Sequence, residues 1–414
     1  VNEEQLKLFI RAAFQLEDVA EAIIRGSDPV LFYAMSEVRA IVDRLGGPED
    51  IFRERQWREV QPLVAQAMEP YNQAFAESTV EQLVGYTDEA KANASTMLAR
   101  AGAPIPPLVG TPVQDSIAAI LQTKVPDSRK VAALFKVNGE RGMSPWIRSN
   151  MRVIDRTVRK GILLGTPTAE IANEIAVQMV MNGKEVLSFS GPTVSRTIRS
   201  QARALARTAV QQYNADINRA VREANREALD AAGVVYEWVA ALDSRTCQIC
   251  APLDGQRRLK ESGFKLQPEV HIGCRCGIIA VNPDDPGGIR TGQQLSPEQF
   301  TYKGKPLDQL SGNERKEALG SGLYASKAKV KGEKLYRRAK PVRPGADGRT
   351  TYADYIAQSD QKTQQMFFGG GNAGSIRAEK FRRLSEETGD PQKALGQLIN
   401  GSGANQRFIA VRDL

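Results

Sequence analysis

Cys247 and Cys250 stand as Cys-x-x-Cys, and 21 residues after Cys250 comes His271, which opens a His-x-x-Cys-x-Cys run with Cys274 and Cys276. These are the 4 cysteines and the single histidine of a 414-residue chain, so their crowding into 30 positions points to a shared task. Thiolate and imidazole suit a tetrahedral zinc ion, and a shell filled by four protein ligands leaves no position for a reacting water, so the expected site is structural. Five donors compete for four places. Cys247, Cys250 and Cys274 take three, and the fourth is open between Cys276 and His271. Outside the set, His271 would orient a ligand through a hydrogen bond. Disulfides fit less well, because pairing within Cys-x-Cys strains the bond and a cytoplasmic birthplace keeps thiols reduced. A hairpin of about 35 residues with few large apolar side chains gains little from burial, whereas structural zinc contributes on the order of 10 kcal/mol to small modules.

Catalytic readings of the same residues fail on order and composition. A zinc deaminase needs His-x-Glu ahead of its cysteine pair, but His271-Ile272-Gly273 follows the first pair and carries no acid. One histidine cannot serve a multi-histidine nuclease or protease. Neither a phosphate-binding Gly-x-x-x-x-Gly-Lys-Ser/Thr loop nor a Gly-x-Ser-x-Gly elbow occurs. A redox role for Cys247 and Cys250 would call for a βαβ setting, and here the pair leads into the polar turn Leu253-Asp254-Gly255. No enzymatic activity is expected.

The elements that must position the cysteines are two short strands. Residues 234–240 alternate and are rich in β-formers, as in a half-buried strand, and residues 277–281 form a second strand ended by Pro283. The cysteine segment is then an insertion between strands able to pair. Ahead of it, residues 194–229 read as one long amphipathic helix, with Ile198, Ala202, Leu205, Ala209, Tyr213 and Ile217 on one face and Arg196, Arg199, Arg203, Arg207, Arg219, Arg222 and Arg226 decorating it. A helix starts at Pro145. A second follows Gly165, with Thr166 as N-cap, Pro167 at the first helical position and Ile171, Ile175 and Met179 on its buried side.

The first 140 residues repeat the helical period: Leu16, Ala20 and Ile23 precede a stop at Gly26, residues 29–45 form another helix, and Ile51, Trp57, Val60, Val64 and Met68 make a third stripe. The division expected is a helical N-terminal unit over 1–140, a core with the zinc hairpin over 141–283, and a loosely packed, glycine-rich and basic extension over 284–414, with Gly369-Gly370-Gly371 as a loose joint. The fold class is mainly α with a small zinc-stapled β-hairpin (α+β).

Charge is distributed unevenly. Residues 1–100 hold 10 basic and 17 acidic side chains, so the rest of the chain carries the +15 that brings the total to +8. The densest run is Lys327, Lys329, Lys331, Lys334, Arg337, Arg338 and Lys340, and this run and the arginines of the long helix are expected to contact the phosphates of a nucleic acid without base specificity. No apolar run nears the roughly 20 residues of a membrane-spanning helix, and no secretory pattern opens the sequence, so synthesis in a cytoplasm is expected.

Arg207-Thr208, Tyr236-Glu237-Trp238, the run Asp243 to Cys250, Leu253-Asp254-Gly255 and the run His271 to Cys276, in that order, resemble the signature of phage Mu protein F-like minor head proteins. A weaker echo lies in Thr351 to Ile356, Gln365 to Gly369 and Phe408 to Leu414. The resemblance covers roughly residues 145–283. It implies a structural head morphogenesis protein of a tailed phage, a minor capsid component of the virion. Such a protein associates with the portal protein, other head proteins and packaged double-stranded DNA inside the capsid near the portal vertex, after assembly in the host cytoplasm. No membrane and no small-molecule substrate are implied. The competing expectation is an intracellular nucleic-acid-binding protein whose zinc hairpin presents Arg245, Arg257, Arg258 and Arg275.

Overall fold

The computed structural model describes residues 3–46, 53–102, 124–125, 129–130, 145–181, 184–188, 193–243, 246–268, 274–284, 290–296, 301–306, 309–314, 325–330, 333–345, 348–400 and 407–411. The chain is mainly helical, with small antiparallel sheets. Helices α1 (Glu3–Asp43) and α2 (Glu54–Arg100) pair along their length and take α5 (Val194–Ala224) against both, while α3 (Pro145–Leu164) and α4 (Thr168–Ile175) close the bundle.

The stop expected at Gly26 does not occur, and α1 runs through Gly26 and Pro29 to Asp43. Gly26 serves packing instead: a Cβ there would stand 2.5 Å from Ser78 Oγ of α2, so glycine permits the close approach of the two helices. Beyond Pro29 the buried Leu31, Met35, Val38 and Val42 continue the stripe, and their burial outweighs the one backbone hydrogen bond that proline removes. The α2 stripe of Trp57, Val60, Val64 and Met68 is buried as expected, and Ile51 lies outside the described residues. Pro167, not Thr166, is the N-cap of α4. That helix ends at Ile175, so Met179 falls instead in strand β3 (Val177–Met181), paired with β4 (Lys184–Ser188). The preceding pair is β1 (Lys124–Val125) with β2 (Arg129–Lys130).

The uneven charge of the sequence becomes a ladder inside the bundle. Arg199 meets Asp28 at 2.6 Å, Arg203 meets Glu21 at 2.6 Å and Arg207 meets Glu17 at 2.7 Å. Arginines spaced by four along α5 thus climb one acidic edge of α1. They are engaged within the fold, against the expectation that the long helix displays them. The helix also stops at Asn225, where the Asn225 side chain donates to Val221 O (2.8 Å), and α6 (Arg226–Ala231) follows as a separate short turn.

Strand β5 (Val235–Val239) pairs antiparallel with β7 (Gly277–Val281) from Val235 opposite Val281 to Val239 opposite Gly277, and β6 (Arg257–Arg258) joins the other edge of β5. All five β5 residues are buried, so the strand is covered on both faces, not half-buried. Tyr236, Trp238, Ile278 and Ala280 merge with the helical core, while Val235, Val239, Ile279 and Val281 pack on Met97, Leu8 and Phe9. The hairpin therefore shares a core with the bundle, which corrects the expectation that metal alone replaces one.

The C-terminal region is also corrected. Helices α7 (Tyr352–Gln358), α8 (Gln361–Phe367), α9 (Gly371–Thr388) and α10 (Pro391–Gln397) enclose a core of Tyr352, Tyr355, Phe367, Phe368, Phe381 and Leu395, which also takes in Leu242 and Ala251 of the hairpin. Gly369, Gly370 and Gly371 adopt positive φ (104°, 67° and 58°) in a tight turn, not a loose joint. Strands β13 (Ile399–Asn400) and β14 (Arg407–Phe408) close this unit. Between it and the hairpin lie the small pair β9 (Thr301–Tyr302) and β10 (Lys305–Pro306), and a three-stranded sheet of β8 (Arg290–Ser296), β12 (Glu333–Val342) and β11 (Ala325–Val330).

Candidate metal centre

The loop from Val239 to Gly277 turns twice, once through Cys247–Leu253 and once through Cys274–Cys276, and the two turns meet sulfur to sulfur. The Sγ atoms of Cys250, Cys274 and Cys276 all lie within 4.8 Å of one another, buried, and Cys250 Sγ is 3.8 Å from Cys274 Sγ. Cys247 lies outside this three-sulfur group, at its edge, where its Sγ accepts the backbone N–H of Cys250 at 3.4 Å. None of the four cysteines is joined in a disulfide, which sets aside the disulfide reading. Sulfurs at about 2.3 Å from a central zinc stand about 3.8 Å apart at tetrahedral angles, so the Cys250 to Cys274 spacing fits a shared ion. The structure brings Cys276 into the cluster, and His271 lies outside the described residues.

Crowding by the sulfurs of Cys247, Cys274 and Cys276, and then burial, hold the Cys250 thiol far above the usual thiol range when no cation is present. A dication at the centre of the cluster would reverse that preference by stabilising thiolates.

Two ion pairs frame the cluster, one half-buried and one buried. Arg275, between two of the cysteines, donates to Asp243 Oδ2 (2.5 Å) and Oδ1 (2.6 Å), fastening the second turn to the end of β5. Asp254 accepts from the Ala240 backbone N–H (2.6 Å) and from Arg290 Nη1 (2.7 Å), and Arg290 also donates to Thr350 O and Ala240 O. Neither acid–base pairing was read from the sequence. The Leu253-Asp254-Gly255 turn marked Asp254, but nothing marked Arg290, 36 residues away.

The C-terminal unit is fitted to the first cysteine turn. Tyr352 Oη donates to Asp243 O (2.7 Å), Gln392 to Pro252 O (2.8 Å) and Arg349 to Gly255 O (2.8 Å), while Gln248 accepts from Phe408 N (3.0 Å). Gly255 has φ +77°, and a Cβ there would meet Thr351 Cγ2 at 2.8 Å, so the turn requires glycine on two counts. From the opposite side, buried Arg222 of α5 donates to Glu261 (2.8 and 2.9 Å) and to Ile278 O (3.2 Å).

Of the arginines considered for a nucleic-acid-binding hairpin, Arg257 pairs with Glu237 (2.8 Å), Arg275 with Asp243, and Arg258 lies over the Phe264 ring at 5.5 Å. Arg245 is outside the described residues, and that reading loses most of its support. The basic run from Lys327 to Lys340 lies 50 or more residues further along, in β11 and β12, with Lys331 outside the described residues.

Neither a curated protein nor a solved structure matches the chain. A family model described as Phage Mu protein F like protein matches residues 152–279, from within α3, through α5, to the third residue of β7. The match takes in all four cysteines and both partners of the Arg275–Asp243 pair. Residues 152–279 of this chain are a phage Mu protein F-like domain.

Proposed function

We propose that this chain is a structural minor head protein of a tailed phage, in which one zinc ion held by Cys247, Cys250, Cys274 and Cys276 fixes the loop between β5 and β7. The observation that carries the reading is the coincidence of the sulfur cluster with the family match: the matched segment contains every metal donor whose position is described. The role is structural and not enzymatic, because four sulfurs close the shell and leave no place for a reacting water. Zinc supplies cross-linking between two turns, and the chain's own residues do the rest: Arg275, Arg290 and Arg222 tie those turns to β5, to the C-terminal unit and to α5.

In this role the protein joins other head proteins, including the portal, inside the capsid near the portal vertex, and its late excess of positive charge meets packaged double-stranded DNA. Among the described residues no helix is long and apolar enough to cross a membrane. Mass spectrometry of purified virions, with affinity capture of the portal by the tagged chain, tests the assignment. The chain is expected in mature particles and on the portal. Its absence from both would end the reading.

A further inference from the structure

Helix α2 packs against α1, α3 and α5, and its remaining side faces solvent. Positions 63, 66, 70, 73, 77, 80 and 84 are all exposed on that side and alternate in steps of three and four residues, so they line up along the helix as one seam. Among the described residues eight large hydrophobic side chains are exposed, and three of them stand on this seam: Leu63 (51 %), Val80 (37 %) and Val84 (39 %). A helix that buries one face and keeps apolar residues on the other has surface to spare for a second neighbour.

Charge on the seam has one sign. From Glu59 to Ala90 the chain holds six acidic residues and no lysine or arginine. Elsewhere in the bundle acids are matched: Glu17, Glu21 and Asp28 of α1 by the arginines of α5, and Glu54 by Arg159. Glu77, Glu81 and Asp88, which flank the two valines, meet no lysine or arginine among the described residues, and Glu77 accepts instead from the Gln73 amide (2.7 Å). Pro70 adds a further acceptor. It has no N–H to give, so the carbonyl of exposed Gln66 lacks its helical donor.

We propose that the outer face of α2 from Leu63 to Asp88 is a docking surface for a basic amphipathic helix of a partner protein. Its apolar stripe covers Leu63, Val80 and Val84, and its lysines or arginines pair with Glu77, Glu81 and Asp88. The chain uses the same chemistry internally, where α5 sets an arginine at every fourth residue along the acidic edge of α1. A second copy is the wrong occupant, because this face brought against itself sets acid opposite acid. The surface follows from charge and shape alone and is independent of the phage setting.

The probe is a labelled four-heptad helical peptide with leucine at its a and d positions and lysine at e and g, whose like charges keep it from pairing with itself. Its counterpart carries glutamate in place of lysine. In fluorescence anisotropy with the zinc-loaded full chain, the lysine peptide should bind at one site, more weakly as salt rises, and about tenfold or more tighter than the glutamate peptide. Val80→Ser with Val84→Ser should weaken the lysine peptide about tenfold, and because valine and serine have similar helix propensity this pair leaves α2 intact. The triple variant Glu77→Lys, Glu81→Lys, Asp88→Lys should reverse the preference to the glutamate peptide. Lysine at Glu379, Glu386 and Glu387, exposed on α9, should change neither affinity. Circular dichroism of each variant should match the parent; if the lysine triple does not fold, the serine pair decides. Equal binding of the two peptides by the parent chain, undiminished binding by the serine pair, or an unreversed preference in a folded lysine triple would overturn the docking surface. Sedimentation in which the parent chain self-associates and the serine pair does not would give the face to a second copy and overturn it as well.

Discussion

Arg290 donates to Asp254 at 2.7 Å with both side chains almost wholly inside the protein, and this pair joins the cysteine loop to the three-stranded sheet of β8, β12 and β11. The Asp254 carboxylate is otherwise met by the Ala240 N–H, so each of its oxygens has a donor. Removing one partner of a buried pair leaves an uncompensated charge, which typically costs 3–5 kcal/mol. Arg290→Ala should therefore destabilise the chain by about 3 kcal/mol or more in urea unfolding followed by tryptophan fluorescence. Adding Asp254→Asn should recover part of the loss, since the stranded charge is then gone. Additive losses would show that the two side chains act independently.

Helix contact makes opposite demands on two glycines. Gly85 in α2 has open space where a Cβ would go, so Gly85→Ala should stabilise the protein by roughly 0.5–1 kcal/mol through helix propensity. Gly26→Ala must displace the Ser78 hydroxyl from its hydrogen bond to Ile23 O and should destabilise by about 1 kcal/mol, a loss that Ser78→Ala relieves. Thermal unfolding of Gly85→Ala, Gly26→Ala and the double variant Gly26→Ala, Ser78→Ala reads these signs directly, and a stabilising Gly26→Ala would contradict the close packing of α1 on α2.

The ladder of Arg199, Arg203 and Arg207 on α1 is partly exposed, so each pair is worth well under about 1 kcal/mol. Its larger consequence is that these arginines are occupied. Substituting Arg203 and Arg207 by Gln should lower thermal stability slightly, more at low salt than at high, and leave the salt slope of DNA binding unchanged. A slope that falls by two would mean that α5 meets the phosphates.

Buried tyrosines set the alkaline limit. Burial pushes Tyr86 up to about 12, and it raises Tyr213 and Tyr352 as well. A phenol that keeps its proton longer folded than unfolded binds more protons in the folded state. Stability from these groups is thus complete below the ordinary phenol pKa of about 10 and falls as pH rises toward 12. Absorbance at the tyrosinate band should show buried tyrosines ionising together with loss of helix above pH 10. Ionisation of all tyrosines near pH 10 with the fold intact would refute their burial.

Much of the site was legible in the residues. Cysteine spacing announced that Cys250, Cys274 and Cys276 converge, period-two patterning placed β7 correctly and β5 within a residue at either end, and turn residues placed the loop between them. What the sequence could not convey was partnership over distance. Gly26 reads as a stop until Ser78 is known to lie against it, and Arg199 reads as displayed until Asp28 is opposite. The aromatic residues from Tyr352 to Phe381 look sparse in a glycine-rich stretch, yet they converge because four short helices fold onto Leu242 and Ala251.

The central claim is a zinc ion bound by four sulfurs, and the most direct measurement is metal content with zinc-edge X-ray absorption on the purified full-length chain. The account predicts one zinc per chain, with four sulfur neighbours at about 2.3 Å and no imidazole scattering, and stepwise release as acid protonates the thiolates. A chain that holds no zinc, or whose sulfurs are bridged in pairs, would contradict it.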